Sequence, residues 1–159
     1  MSEARDHILS ADEVASLLDL TPLAGEGGRF RRVWSTEDGT AIYFLVTPDD
    51  FSAMHRLSGP ELWHYYSGAP VQMVLLHEDG EVTRAILGDD LVSGQRPLVI
   101  VDTGVWMGAY PLGSWSLVGT TLAPPFEPEG FELGDPDELI AAYPSATDDI
   151  IRLIRTRAP

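Results

Sequence analysis

Turn-forming residues divide the chain into short apolar segments, and this division limits the folds open to it. The segments end at runs of Gly, Pro, Ser and Asp, and Glu78-Asp79-Gly80 is a strong hairpin signal between two of them. Short strands at this spacing are typical of an all-β sandwich or barrel. The predicted strands are residues 29–35, 41–46, 52–57, 62–66, 71–77, 82–87, 97–101 and 115–122.

Helical patterns are confined to the two ends of the chain. Residues 10–20 place apolar side chains at helical spacing, and Ser10 with Glu13 forms a capping-box pattern at the start. The tail over residues 135–157 contains two further apolar stripes separated at Tyr143-Pro144. We find no internal repeat or linker, so we expect one domain over residues 1–159 with its core at about 14–144.

Composition excludes several classes of function. Acidic residues number 25 against 10 basic ones, which gives a net charge of −15, so nucleic acid and anionic membrane are poor partners. The chain has no Lys, which excludes Schiff-base chemistry on a Lys side chain. It has no Cys, which excludes disulfides and thiolate metal sites and fits a cytoplasmic protein.

Residues 51–68 contain the most distinctive set of polar groups. His55, Glu61 and His64 lie on two predicted strands joined by Ser-Gly-Pro. Because strand side chains alternate between faces, His55 shares the inward face with Phe51 and its other apolar neighbours. His64 lies three residues after Glu61, so a regular strand directs it to the opposite face and only a bulge brings it inward.

The spacing of these residues resembles the first motif of the cupins, in which Glu is followed by six residues and Gly, as Glu61 is by Gly68. More specifically, the chain resembles the cupin-5 (DUF985) group over about residues 14–144. The motifs that carry this resemblance are Glu26-Gly-Gly-Arg-Phe30, Phe51-Ser-Ala-x-His-Arg-Leu57, Glu61-x-Trp-His-x-Tyr-x-Gly68, Gly94-Gln-Arg-Pro97 and Gly104-Val-Trp106.

This resemblance implies a double-stranded β-helix (a jelly-roll barrel) with short helices at the ends, and a homodimer. Metal-binding cupins supply two His, a Glu and a further His; counted onto this chain, those positions hold His55, Leu57, Glu61 and Met107. Only two of the four can serve as ligands, so we expect no tightly held metal. A divalent metal remains an alternative if His64 supplies a third ligand.

The remaining polar groups suggest a pocket for a small molecule. His55 is the candidate general base, with Glu61 as its orienting partner or as a second acid–base group, and His64 is a third catalytic candidate. The residues expected to contact a substrate are Tyr43, Trp63, Tyr65, Trp106 and Arg29, the last as a partner for an anionic group. Glu26-Gly27-Gly28 does not match a phosphate loop, because no Lys follows and a strand comes next.

These observations favour an enzyme without a metal cofactor that performs acid–base chemistry on a small metabolite. Epimerisation, isomerisation, dehydration and cyclisation all fit, and the wider cupin group, which includes sugar-nucleotide epimerases, points the same way. Two alternatives stay open: a non-catalytic cupin that binds a metabolite, and a metal-dependent cupin enzyme.

Overall fold

Two antiparallel β-sheets face each other in the computed structural model, which describes residues 8–155. Their strands coincide with the runs of β-branched, aromatic and aliphatic residues between the turn signals. The strands are β1 (Thr21–Pro22), β2 (Arg29–Ser35), β3 (Thr40–Val46), β4 (Ser52–Leu57), β5 (Glu61–Gly68), β6 (Val71–Leu76), β7 (Val82–Leu87), β8 (Leu98–Val101), β9 (Trp106–Pro111), β10 (Ser116–Leu122) and β11 (Phe131–Leu133).

The strand order confirms the predicted jelly-roll barrel. One sheet has the order β1-β2-β3-β10-β5-β8 and the other β11-β4-β9-β6-β7. The chain changes sheet at the Ser58-Gly59-Pro60 turn between β4 and β5, so the two halves of the 51–68 segment face each other across the barrel. The pairings among these strands are antiparallel.

In the part of the chain that the structure describes, three α-helices cover the outside of the sheets. α1 (Ala11–Leu17) begins at the predicted capping box, in which Ser10 and Glu13 each accept a hydrogen bond from the other's backbone N–H. α2 (Pro136–Ala142) and α3 (Thr147–Arg152) form the predicted helical tail and pack on the five-stranded sheet around Met54 and Val74. Within residues 8–155, no helix is long and apolar enough to span a membrane.

All eight predicted strands are present, and β1, β9 and β11 were not predicted. The first and last are very short. β9 contains Gly108 and ends at Pro111, two residues that weaken a strand signal in sequence, yet it lies in the centre of its sheet between β4 and β6. The sheet neighbours of β9, which the local sequence does not reveal, therefore decide its conformation.

Gly108 allows the helical tail to approach β9 closely. A Cβ atom at this position would lie 2.8 Å from Leu153 Cδ1 and 3.2 Å from Met54 Cε. We expect Gly108→Ala to lower the free energy of unfolding by about 1–3 kcal/mol through overpacking, as measured by urea denaturation. Gly59→Ala is the control, because a Cβ there would meet only Pro124 Cδ at 3.8 Å. Equal stability of the two variants would contradict this packing argument.

Candidate functional site

A cavity of about 120 Å³, here called the barrel cavity, lies between the two sheets. This is several times the space that one water molecule needs. Its wall is mostly aliphatic and aromatic, with a few polar groups, as is usual for small-molecule sites. The lining residues are Leu23, Ala24, Glu26, Phe30, Arg32, Thr40, Ile42, Phe44, His55, Leu57, Glu61, Thr120, Leu122, Phe126 and Phe131.

His55 lies on β4 with its side chain facing into the barrel and only 1% exposed. Its Nδ1 is 2.7 Å from the carbonyl oxygen of Ala53. Because a carbonyl oxygen can only accept, Nδ1 carries the hydrogen, and Nε2 is the nitrogen that gains or loses a proton. The ring also stacks on Phe131, with 5.3 Å between centroids. The orientation and the tautomer of His55 are thus both fixed.

Glu26 faces the free nitrogen of His55, with 3.6 Å between Glu26 Oε1 and Nε2. Its carboxylate accepts a hydrogen bond of 2.7 Å from Ser52 Oγ, and its backbone carbonyl accepts one of 2.9 Å from the N–H of Ala53. Gly28 has φ +74°, and a Cβ there would lie 2.9 Å from the carbonyl oxygen of Leu45. The glycines therefore serve a turn and close strand packing, as predicted, and that turn brings Glu26 to β4.

Glu61 on β5 supplies a second carboxyl group to the barrel cavity and is 6% exposed. Burial raises the pKa of Glu61 well above its ordinary value, and the charge of the neighbouring Glu26 carboxylate raises it further. The indole N–H of Trp63 acts in the opposite direction on this pKa, with a smaller effect than either of these causes. It makes no hydrogen bond of normal geometry, so Trp63 Nε1 stays without a partner in the part of the chain described.

The barrel cavity brings together three acid–base groups that can take different roles in proton transfer: Glu26, His55 and Glu61. A carboxyl group with a raised pKa holds its proton and can act as an acid. A His with one nitrogen fixed as a donor can accept a proton at the other, next to a carboxylate that stabilises the resulting charge. Sequence reasoning missed Glu26, although it lies in the Gly-rich turn before β2, four residues ahead of the inward-facing Phe30.

The expected pairing of His55 with Glu61 changes in one respect. Glu61 was one candidate to orient the imidazole, but the Ala53 carbonyl accepts a hydrogen bond from Nδ1, and Glu26 is the carboxylate that lies close to Nε2. Both His55 and Glu61 do line the barrel cavity. The second role considered for Glu61, a separate acid–base group, is the one consistent with this geometry.

His64 points away from the barrel cavity. Its Nε2 lies 3.2 Å from Thr121 Oγ1, and its ring stacks on Tyr66 with centroids 6.4 Å apart. A bulge does occur on β5, but it falls at Tyr66, so the alternation from Glu61 to His64 is regular. The expectation that His64 joins the pocket is therefore corrected, together with its possible place in a metal site.

The residues expected to contact a substrate occupy other environments, and the barrel cavity is lined without them. Trp63 is 0% exposed and packs edge-on against Phe44 within the core, while the Tyr65 hydroxyl donates to the Gly68 carbonyl at 2.7 Å. Both face inward, as predicted, but neither is among the residues that line the barrel cavity. Core packing thus accounts for these two aromatic residues.

Tyr43, Trp106 and Arg29 are not among the residues that line the barrel cavity, and their predicted contacts with a substrate stay predictions. The Tyr43 ring packs against Tyr66 and the cluster under α1. Trp106 packs in the cluster under the helical tail, with the Arg56 guanidinium 4.5 Å from its ring centroid. Arg29 pairs with Asp12 at 2.8 Å. Strand alternation explains why the side chains of Tyr43 and Arg29 point outward, because each residue is next in sequence to one whose side chain points into the barrel.

The donor set does not fit the metal site that the cupin pattern implies. His55, Leu57 and Glu61 line the barrel cavity, and Met107 is the register partner of His55 and is buried in the core. Two of the four ligand positions therefore present a hydrocarbon and a thioether. Among residues 8–155, no group of three or more His, Asp or Glu side chains is arranged to hold a metal ion.

Comparison with known proteins places the chain in a family. Residues 12–134 match the family described as the cupin superfamily (DUF985). A solved Shewanella oneidensis protein is 31% identical, with 94% of this chain and 100% of that chain covered and a TM-score of 0.88. A hypothetical protein from Leishmania major is 25% identical, with coverage of 93% and 100% and a TM-score of 0.83. Comparison with curated proteins finds no match.

A more distant similarity concerns the fold alone. A dTDP sugar isomerase from Desulfovibrio desulfuricans is 16% identical, with 73% of this chain and 87% of that chain covered and a TM-score of 0.53. At this identity the two proteins share the barrel architecture, and no residue role transfers between them.

Proposed function

The chain belongs to the DUF985 family of the cupin superfamily, and on that premise we propose that it is an enzyme performing acid–base chemistry on a small organic molecule in the barrel cavity. The observation that carries the proposal is the orientation of His55, whose free Nε2 faces the Glu26 carboxylate while Glu61 shares the same cavity. A core His packed only for stability needs no second and third titratable group beside it.

The proposed chemistry divides between the two sides of the barrel. His55 Nε2 takes a proton from an acidic carbon of the substrate, and Glu26 stabilises the imidazolium that forms. Protonated Glu61 donates its proton to the oxygen that becomes negative or that leaves. Return of a proton to carbon gives epimerisation or isomerisation, whereas departure of the protonated oxygen gives dehydration. The mostly apolar wall excludes water from these transfers.

The reaction class can be tested without knowing the product. The protein is incubated in D₂O with a panel of α-keto acids, α-hydroxy acids and sugars, and NMR follows incorporation of deuterium at carbon. We expect at least one compound to exchange faster than in the protein-free reaction.

A variant of His64 controls for the other histidine on these two strands. His64→Gln should keep the exchange rate, because its ring lies on the outer face beside Thr121. Binding of a panel compound with no exchange would overturn the enzyme proposal in favour of a non-catalytic binding protein. Loss of exchange in His64→Gln would overturn the assignment to His55.

A further inference from the structure

Arg32 differs from the other residues that line the barrel cavity because it is the arginine among them and carries a permanent positive charge. It lies on β2 on the same face as Phe30, and both side chains line the barrel cavity. Arg31 alternates to the other face, and the strand bulges directly after Arg32. The Arg32 side chain is exposed, so it occupies the side of the cavity that reaches solvent.

The other arginines between residues 8 and 155 all have partners, and Arg32 has none. Arg31 pairs with Asp19 at 3.8 Å and Arg84 with Asp149 at 2.7 Å, for example. The partners of the remaining arginines are an acidic side chain for Arg29, Arg56 and Arg155, a backbone carbonyl for Arg96 and an aromatic ring for Arg152. In a chain with 25 acidic residues, an Arg left unpaired at a cavity is available to a ligand.

The negative charge around the barrel cavity makes an arginine at this position important for binding an anion. A net charge of −15 repels anions, and Glu26 and Glu61 add acidic groups inside the cavity. A guanidinium presents a planar set of N–H donors that matches carboxylate and phosphate oxygens. Two aromatic side chains of the same lining, Phe30 and Phe126, suit the carbon skeleton of the same molecule.

We propose that Arg32 is the anchor for an anionic group, so that the substrate of the barrel cavity is a small organic acid or phosphate. The anion binds at the exposed side and the carbon to be deprotonated lies beside His55. This inference rests on the proposed function, because it concerns the same cavity. It also transfers to Arg32 the anion-binding role that the sequence suggested for Arg29.

The proposal predicts binding that depends on both the ligand charge and Arg32. Benzoate, phenyl phosphate and neutral benzamide are titrated against the full-length protein by NMR and calorimetry. We expect benzoate, phenyl phosphate or both to bind more tightly than benzamide, and the tighter of the two identifies the anionic group. Arg32→Gln should weaken that anion by about 10- to 100-fold, the usual worth of a charged hydrogen bond, and leave benzamide unchanged.

Arg31→Gln is the matched control, because it removes the same charge from the adjacent position on the other face of β2. Its anion affinity should remain that of the unchanged protein. The proposal is overturned if neither anion binds, if benzamide binds as tightly as the anions, or if both variants weaken binding equally. Arg32-dependent binding without any deuterium exchange would support Arg32 as the anion-binding residue and would contradict only the proposal that the protein is an enzyme. The experiments therefore distinguish the failure of one proposal from the failure of the other.

Discussion

Replacing His55 by Gln is expected to slow deuterium exchange by about 10²- to 10⁴-fold, the range that a positioned general base contributes. Gln keeps a polar side chain in the cavity but has no atom that gains a proton near neutral pH. The measurement is the NMR exchange rate on the substrate found with the unchanged protein. An exchange rate within a factor of two of that protein would exclude His55 as the base.

This replacement also has a structural cost that must be separated from the chemical one. His55 is buried, donates to the Ala53 carbonyl and stacks on Phe131, so we expect Gln to lower the free energy of unfolding by about 1–3 kcal/mol. Exchange is therefore measured well below the melting temperature of the variant, with circular dichroism confirming that it is folded. Partial recovery of exchange in His55→Ala on addition of imidazole would assign the loss to chemistry.

Glu61→Gln is expected to stabilise the protein above pH 5 while reducing its exchange activity. Because burial and the nearby Glu26 raise the pKa of Glu61, ionising this group in the folded state is unfavourable. An amide of the same shape removes that penalty and also removes the proton that the proposed mechanism donates. Catalytic groups held in such environments commonly reduce stability in this way.

The pH dependence has a definite sign. Below the ordinary carboxyl pKa of about 4.3, Glu61 is protonated in both the folded and the unfolded state. Its ionisation therefore does not change the free energy of unfolding in that pH range. As the pH rises from there to the raised pKa of the folded protein, only the unfolded chain releases this proton, so the unchanged protein loses stability. The gain in melting temperature of Glu61→Gln over the unchanged protein should therefore increase across this window and then level off.

Thermal unfolding from pH 4 to pH 9 checks this expectation. Glu129→Gln is the control, since Glu129 is exposed in the short 3-10 turn after the last long strand. Its melting temperature should differ from that of the unchanged protein by a small, nearly constant amount. A Glu61→Gln curve that runs parallel to the unchanged protein would show that Glu61 has an ordinary pKa in the folded state.

Parts of the site were predictable because they depend on local pattern. The alternation of β4 places His55 inward among apolar neighbours, and the Ser-Gly-Pro turn starts β5 at Glu61. The same rule placed His64 on the opposite face, so treating it as a catalytic candidate required a bulge at a position where the strand is regular. Trp63 and Tyr65 had the right face but the wrong depth, because face does not distinguish the core from a cavity wall.

The sequence by itself determined eight of the strands, the capped α1, the jelly-roll family and the inward faces of His55 and Glu61, because turn residues and strand alternation act over a few neighbours. Only the tertiary structure decided that Glu26 reaches His55, that the Ala53 carbonyl sets its tautomer and that Arg32 reaches the cavity without a partner. The Glu26 contact and the position of Arg32 at the cavity join segments that are distant in sequence, whereas the Ala53 contact lies within β4 and depends on the side-chain conformation of His55. The first two follow from how the sheets pair and face each other, which no local spacing records.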